Sequence, residues 1–435
     1  MFTRQQSRLW DPSTIAISSN AKALVDEAAE AQIQARAERM ARIGKKARRN
    51  RGDKAIKEGR TVEALVLDTL AHHLCSLPEH LVIKLGSDWL SAGPPELVAR
   101  NRTVNERLED LEEAGWLRRN KSARLNGHLV TMLHAGDQLL EAAKRLRVTL
   151  SDIGLEPSPP EIELRGRKSG GVNGRRPIIH FEKTHQTNAI EHRLIALNER
   201  LSDADLSATR LGPATIDLRR RRVSRAFLDG SFERGGRLNG PAFWLSLRKE
   251  IRREALRIDG EPIAEVDLQA AMPSIAYALE GNCPIGDPYS IPEVNDIPRD
   301  AIKIALMQML WRPVRKGTPL ADEARSMIPK AYVASQVFDL IKQRNYPIAH
   351  RLGAGSPCGA ELMWHESEII IEATLRCFEA GISALPLHDA LLVSWRRAEE
   401  VQSILSAAFA ERLGVQPTIK IKSFARQTSG ATANA

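Results

Sequence analysis

The chain has 435 residues, 43% hydrophobic and 27% charged, enough to bury a real core in two or three domains. Its 63 Lys and Arg outnumber 54 Asp and Glu, and the resulting net charge of +9 suits a polyanionic partner. Three classes are disfavoured: Cys75, Cys283, Cys358 and Cys377 form no CxxC pair for a zinc cluster or disulfide scaffold, Met1-Phe2-Thr3-Arg4 opens no signal peptide, and no run of about 18 apolar residues spans a membrane. The cytoplasm of a bacterial or phage-infected cell is the expected compartment.

Residues 1–60 read as a basic arm, disordered or helical in part, rich in Ala, Glu, Lys and Arg. Lys45, Lys46, Arg48, Arg49 and Arg51 make its end either a solvated tail or a phosphate-binding segment.

Residues 61–150 have a clearer pattern. Val62, Leu65, Val66, Leu70 and Leu74 fall at helical spacing, and a second helix is expected near Pro95–Val98. A third begins at Thr103, with Glu106 completing a capping box; Val104, Leu108 and Leu111 form its buried stripe and Gly115 its stop. Trp116–Arg119 and His128–Met132 then alternate like a hairpin around the basic stretch Lys121–Gly127. The order resembles a winged helix-turn-helix, in which the third helix enters the major groove and the wing follows a phosphate strand. That likeness implies DNA contacts from Arg102, Asn105 and Arg107 on the helix and from Lys121 and Arg124 on the wing. The alternative is a three-helix domain for protein contacts, and Glu109, Asp110, Glu112 and Glu113 count against DNA at the far end of that helix.

Residues 151–215 form a linker rich in Pro, Gly and Arg, followed by a helix from Thr187 to Leu201 with Ile190, Leu194 and Leu197 as its stripe. Its place in the chain suits a thumb-like element.

Residues 216–435 hold the most informative pattern. Ile263–Gln269 is an apolar strand delivering Asp267 near its end, and Ile382–Ser394 reads as a hairpin with His388-Asp389 at the turn. Between them in sequence lies the cationic helix Arg299–Trp311. Two carboxylates on neighbouring strands with a basic helix between are what metal-dependent phosphoryl transfer needs.

From about Arg222 to residue 410 the chain resembles the family A DNA polymerases and their relatives, the single-subunit phage-type RNA polymerases. Three motifs occur in the order those families use. Gly235-Gly236-Arg237-Leu238-Asn239 is similar to the element ahead of the first motif; it implies that Arg237, with Asn239, contacts the primer–template backbone. Val266-Asp267-Leu268-Gln269-Ala270-Ala271-Met272 matches the first motif, and Arg299, Lys303 and Trp311 have the spacing of the second. His388-Asp389 matches the third. The resemblance implies an α+β fold: a polymerase palm built on a small antiparallel sheet, reduced fingers, and the mainly helical winged-helix-like domain ahead of them.

It further implies that Asp267 and Asp389, with the Leu268 carbonyl, bind two Mg²⁺ ions about 4 Å apart, Mn²⁺ being a substitute. His388 is implied near the primer terminus, Arg299 and Lys303 on the triphosphate, Trp311 near the templating base, and Gln269 and Met272 at the nucleotide. DNA primer–template and nucleoside triphosphates are the implied partners, with no membrane. Departures are evident: Met272 stands where family A DNA polymerases have a sugar-excluding Glu, Leu306-Met307-Gln308 replaces Asn-Phe-Gly, and Ala390 replaces the Glu after the last Asp. They leave three readings open: a small DNA polymerase or replication protein of a phage, plasmid or other mobile element; an RNA-synthesising primase or polymerase; and a non-catalytic DNA-binding regulator. No G-x-x-x-x-G-K-[ST] loop is present to suggest an ATPase.

Overall fold

The computed structural model describes residues 7–47, 51–75, 80–85, 98–101, 103–125, 128–156, 162–167, 176–209, 216–354 and 358–423. The chain divides into two compact units, Met1–Arg225 with Asn239–Pro262, and Ala226–Leu238 with Ile263–Ala435. Both mix helices with small, mostly antiparallel sheets, an α+β architecture. No helix among the described residues is long and apolar enough to cross a membrane.

The N-terminal segment of the first unit is not a solvated arm throughout. Helix Ser19–Arg42 starts at Ser18, whose side chain accepts a hydrogen bond from the Ala21 N–H at 3.1 Å. Ala21, Leu24, Ala28 and Ala35 form a narrow buried stripe, and the first three join a core with helices Asp53–Cys75 and Val104–Glu113. Small side chains let helices pack closely, which a reading from charge and composition overlooks. Lys45 and Lys46 are exposed, as is Arg51; Arg48 and Arg49 lie outside the described residues.

Helix Val104–Glu113 buries Val104, Leu108 and Leu111 as its pattern predicts, and Gly115 follows with φ of +75°. Its start differs. The Thr103 N–H and hydroxyl both donate to Asn101 Oδ1, at 2.9 and 2.6 Å, so Thr103 makes no capping bond of its own. Glu106 meets Arg107 instead. The strands Leu117–Leu125 and His128–Ala135 pair antiparallel and join His80–Ile83 and Ser7–Leu9 in a four-stranded sheet. After a register shift between Asn120 and Ala123 the pairing resumes at Ala123–Leu125, within the stretch expected as wing loop, while Asn126 and Gly127 lie outside the described residues. So does most of the helix expected near Pro95–Val98. Helix His185–Asp203, expected as a thumb, belongs to the first unit, starts with a Thr184/Thr187 capping box and buries Leu194, Leu197 and Leu201.

In the second unit, strand Glu261–Leu268 from Ile263 onward pairs antiparallel with Ala390–Ser394 on one side and Ile419–Ser423 on the other. Ala384–Leu387 adds an edge to the sheet through its hairpin with Ala390–Ser394. Alternation decides the faces. Ala264, Val266, Leu268, Ala384, Leu391 and Val393 belong to the core formed with helices Ala271–Leu279, Arg299–Trp311, Gly359–Glu379 and Ala398–Leu413. Ile263, Glu265 and Asp267 therefore occupy the opposite face.

Candidate functional site

Register brings the two key carboxylates together. Asp267 pairs with Ala390, and the Leu268 N–H donates to the Asp389 carbonyl at 3.1 Å, so Asp389 lies beside Asp267 across the sheet. Leu387 pairs with Ala390, leaving His388-Asp389 as a two-residue turn. His388 has φ of +58°, and Ala270, which follows the Asp267 strand, has φ of +46°. A left-handed conformation costs a residue with a Cβ on the order of 1 kcal/mol. Two such residues flank the two aspartates, the kind of place where backbone strain concentrates at working sites.

The electrostatics follow from burial. The Asp389 carboxyl is pushed up from its ordinary value, first by burial and then by the Asp267 carboxylate; Arg237 and Lys303 act in the other direction. Glu366, on helix Gly359–Glu379, is 1% exposed and raised to about 7 by burial, with Asp389 adding and Arg237 opposing. Arg237 Nε donates to Glu366 Oε1 at 2.9 Å. Burial, and then Asp389, also raise the Tyr289 phenol. From the strand Ile419–Ser423, Lys422 places Nζ 2.6 Å from Asp267 Oδ2 and 2.9 Å from Glu265 Oε1.

The cationic helix is present as Arg299–Trp311. Its Arg299 guanidinium lies 5.0 Å from the Tyr289 ring centroid and Lys303 Nζ lies 5.9 Å from it, so both cations lie over one aromatic ring. Arg299 is also paired with Asp287. Trp311 is elsewhere in its surroundings: its ring abuts Gly359 so closely that a Cβ there would meet Cδ2 at 2.5 Å. Met272, expected at the nucleotide, is 5% exposed and packed in the core, because helix Ala271–Leu279 is buried at every position from Ala271 to Ala278. Gln269 is exposed and Leu268 buried.

Arg237, expected on the primer–template backbone, is held by Glu366, because a buried carboxylate draws the nearest cation. Asn239 belongs to the first unit and accepts from the Ser224 hydroxyl at 2.7 Å. Arg107 is a correction. Rather than facing DNA it is 1% exposed, bound to Glu58, Glu106 and Asp110, since it shares the inward face with Leu108 and Leu111. Asn105 is exposed, 3.3 Å from Glu109 Oε1. Arg102 lies outside the described residues. Lys121 and Arg124 are in strand Leu117–Leu125, with nothing described of their side chains.

Sequence reasoning overlooked Lys422 and Tyr289 altogether. For Lys422 a signal existed in the alternation Ile419-Lys420-Ile421-Lys422, a strand with cations on one side. The Asp267 and Asp389 carboxylates are hard oxygen ligands, and the repulsion of Asp389 by Asp267 favours a positive ion between them. Among the described residues no cluster of three or more His, Cys, Asp or Glu side chains is placed to hold a metal.

No protein-family model matches the chain, and no curated protein does. Among solved structures the chain is similar to the POL domain of Pol1 from M. smegmatis, in complex with DNA primer-template and dNTP, at 12% identity. The alignment covers 95% of this chain and 67% of that one, with a TM-score of 0.33. A likeness of that degree carries no functional argument, which falls instead to the site's own residues.

Proposed function

We propose that the second unit is a template-directed nucleotidyltransferase. One observation carries the reading: Asp267 and Asp389, 122 residues apart in the chain, meet where the end of one strand lies beside the turn of the neighbouring hairpin, with the Lys303 ammonium close enough to oppose the rise in the Asp389 pKa. In the proposed step a primer 3′-hydroxyl oxygen bonds to the α-phosphorus of a nucleoside triphosphate, its proton leaves and pyrophosphate departs. Asp267, Asp389 and the Leu268 carbonyl would hold divalent ions, which when bound acidify the attacking hydroxyl and neutralise phosphate charge. Lys303 and Arg299 draw the triphosphate toward Asp389 and stabilise the leaving pyrophosphate. His388, in its left-handed turn, fixes the direction in which Asp389 points.

The choice between DNA and RNA synthesis rests with the sugar pocket. Met272 is drawn into the core and offers no filter there, so both nucleotide classes enter the test. Incorporation of labelled dNTPs and rNTPs on primed and unprimed templates separates polymerase, primase and non-catalytic regulator. For the first unit, the order of helix Asp53–Cys75, strand His80–Ile83, helix Val104–Glu113 and hairpin supports a winged-helix-like DNA contact. Asn105, rather than Arg107, is then the described residue available to it.

A further inference from the structure

Lys422 has no role in the step above, yet it touches the site's first aspartate. The contact is set by register. In the antiparallel pairing of Glu261–Leu268 with Ile419–Ser423, Glu265 stands opposite Lys422 and Asp267 opposite Lys420, so all four side chains share the face away from the helical core. Lys422 Nζ bridges the two acids, 2.6 Å from Asp267 Oδ2 and 2.9 Å from Glu265 Oε1. Glu265 is 8% exposed, and a carboxylate so buried needs a cation of its own.

We propose that Lys422 is the resident counter-cation of Asp267 and competes with a divalent metal ion for the same carboxylate oxygen, a proposal that rests on the metal-binding reading of the site. Glu265 gives the displaced ammonium a place to stay. A metal ion arriving at Asp267 shifts Lys422 onto Glu265 alone, and when the metal leaves, the ammonium returns to Asp267. Lys422 is thus a positioning residue: it sets how tightly the site holds metal and keeps Asp267 neutralised in the metal's absence.

The test uses Mn²⁺ alone, without nucleotide, bound to the full chain and followed by electron paramagnetic resonance. Lys422→Met is expected to tighten Mn²⁺ binding by about tenfold or more, since one competing unit charge in contact with the ligand oxygen is removed. Lys422→Arg should bind as the parent does. Asp267→Asn placed on Lys422→Met should erase the gain. In the unsubstituted protein, the ¹⁵N resonance of Lys422 Nζ should shift as Mg²⁺ is titrated in. Unchanged or weaker Mn²⁺ binding in Lys422→Met, or a Lys422 resonance indifferent to Mg²⁺ that binds, overturns the competition while leaving the metal site intact. Absence of any Mn²⁺ binding in all forms overturns both readings.

Discussion

Arg237 and Glu366, 129 residues apart, meet at a single carboxylate oxygen, with Arg237 Nε 2.9 Å from Glu366 Oε1. The pair sits close enough to Asp389 for that aspartate to act on Glu366. Glu366 is 1% exposed, and burial raises its carboxyl to about 7 despite the guanidinium. An acid whose folded pKa exceeds its unfolded one takes up a proton on folding. Its contribution is therefore fullest below the unfolded value of 4.5 and is lost as pH rises toward 7. A rise from 4.5 to about 7 corresponds to roughly 3 kcal/mol.

Urea denaturation of the parent and Glu366→Gln across that range isolates the effect. Stability of the parent should fall with pH relative to the variant by about 3 kcal/mol. Parallel profiles would contradict the burial argument. Asp389, raised as well by burial and by Asp267, shifts stability in the same direction.

The first unit has the opposite pH signature. Arg220 is 1% exposed and binds Asp11 Oδ2 at 2.9 Å, Asp217 Oδ2 at 3.1 Å and Asp68. Burial alone would raise Asp11 and Asp217, but the arginines (Arg222 and Arg220 on Asp11, Arg220 and Arg219 on Asp217) hold both below the ordinary carboxylate range. Lowered carboxylates contribute stability that is present above the unfolded pKa of 3.8 and lost as pH falls below it. Arg220→Met strands these acids in the interior and should cost roughly 3–5 kcal/mol at pH 7, read by thermal or urea unfolding. A loss below 1 kcal/mol would show that the network is slack.

Gly359 and Trp311 make a steric prediction. Added at Gly359, a Cβ would meet Trp311 at 2.5, 2.7 and 2.9 Å, all ring atoms. Gly359→Ala should therefore destabilise by about 1–3 kcal/mol, against the usual helical preference for Ala. In a Trp311→Leu background the same change should be neutral or stabilising. Equal losses in both backgrounds would remove the ring as the cause.

Much of the second unit was legible in the sequence because its information is local. The apolar run Ile263–Leu268, the apolar run with a polar turn at Leu385–Ser394, and the helical stretch Arg299–Trp311 each carry their own period, and the structure has a strand, a hairpin and a helix there. What escaped was pairing at a distance. Nothing near Glu366 announces Arg237 as its partner, and nothing near Asp267 announces Lys422, because those contacts depend on register and on which helix face turns inward. Arg107 was misjudged for a related reason: composition places an arginine at the surface, whereas Glu58 and Asp110 keep this one inside. Residues 1–60 read as helical in part, but the buried packing of helix Ser19–Arg42 escaped because its stripe is mostly alanine, which hydrophobic patterning weighs little.

The most direct measurement is incorporation of labelled nucleotide onto a primed template by the full chain with Mg²⁺, compared with Asp267→Asn and Asp389→Asn at matched DNA occupancy. The account predicts extension by the parent, loss of at least about 10³-fold in each variant, and DNA affinity unchanged within about threefold. Undiminished extension in either variant, or none by the parent with dNTPs or rNTPs on primed and unprimed templates alike, would contradict it.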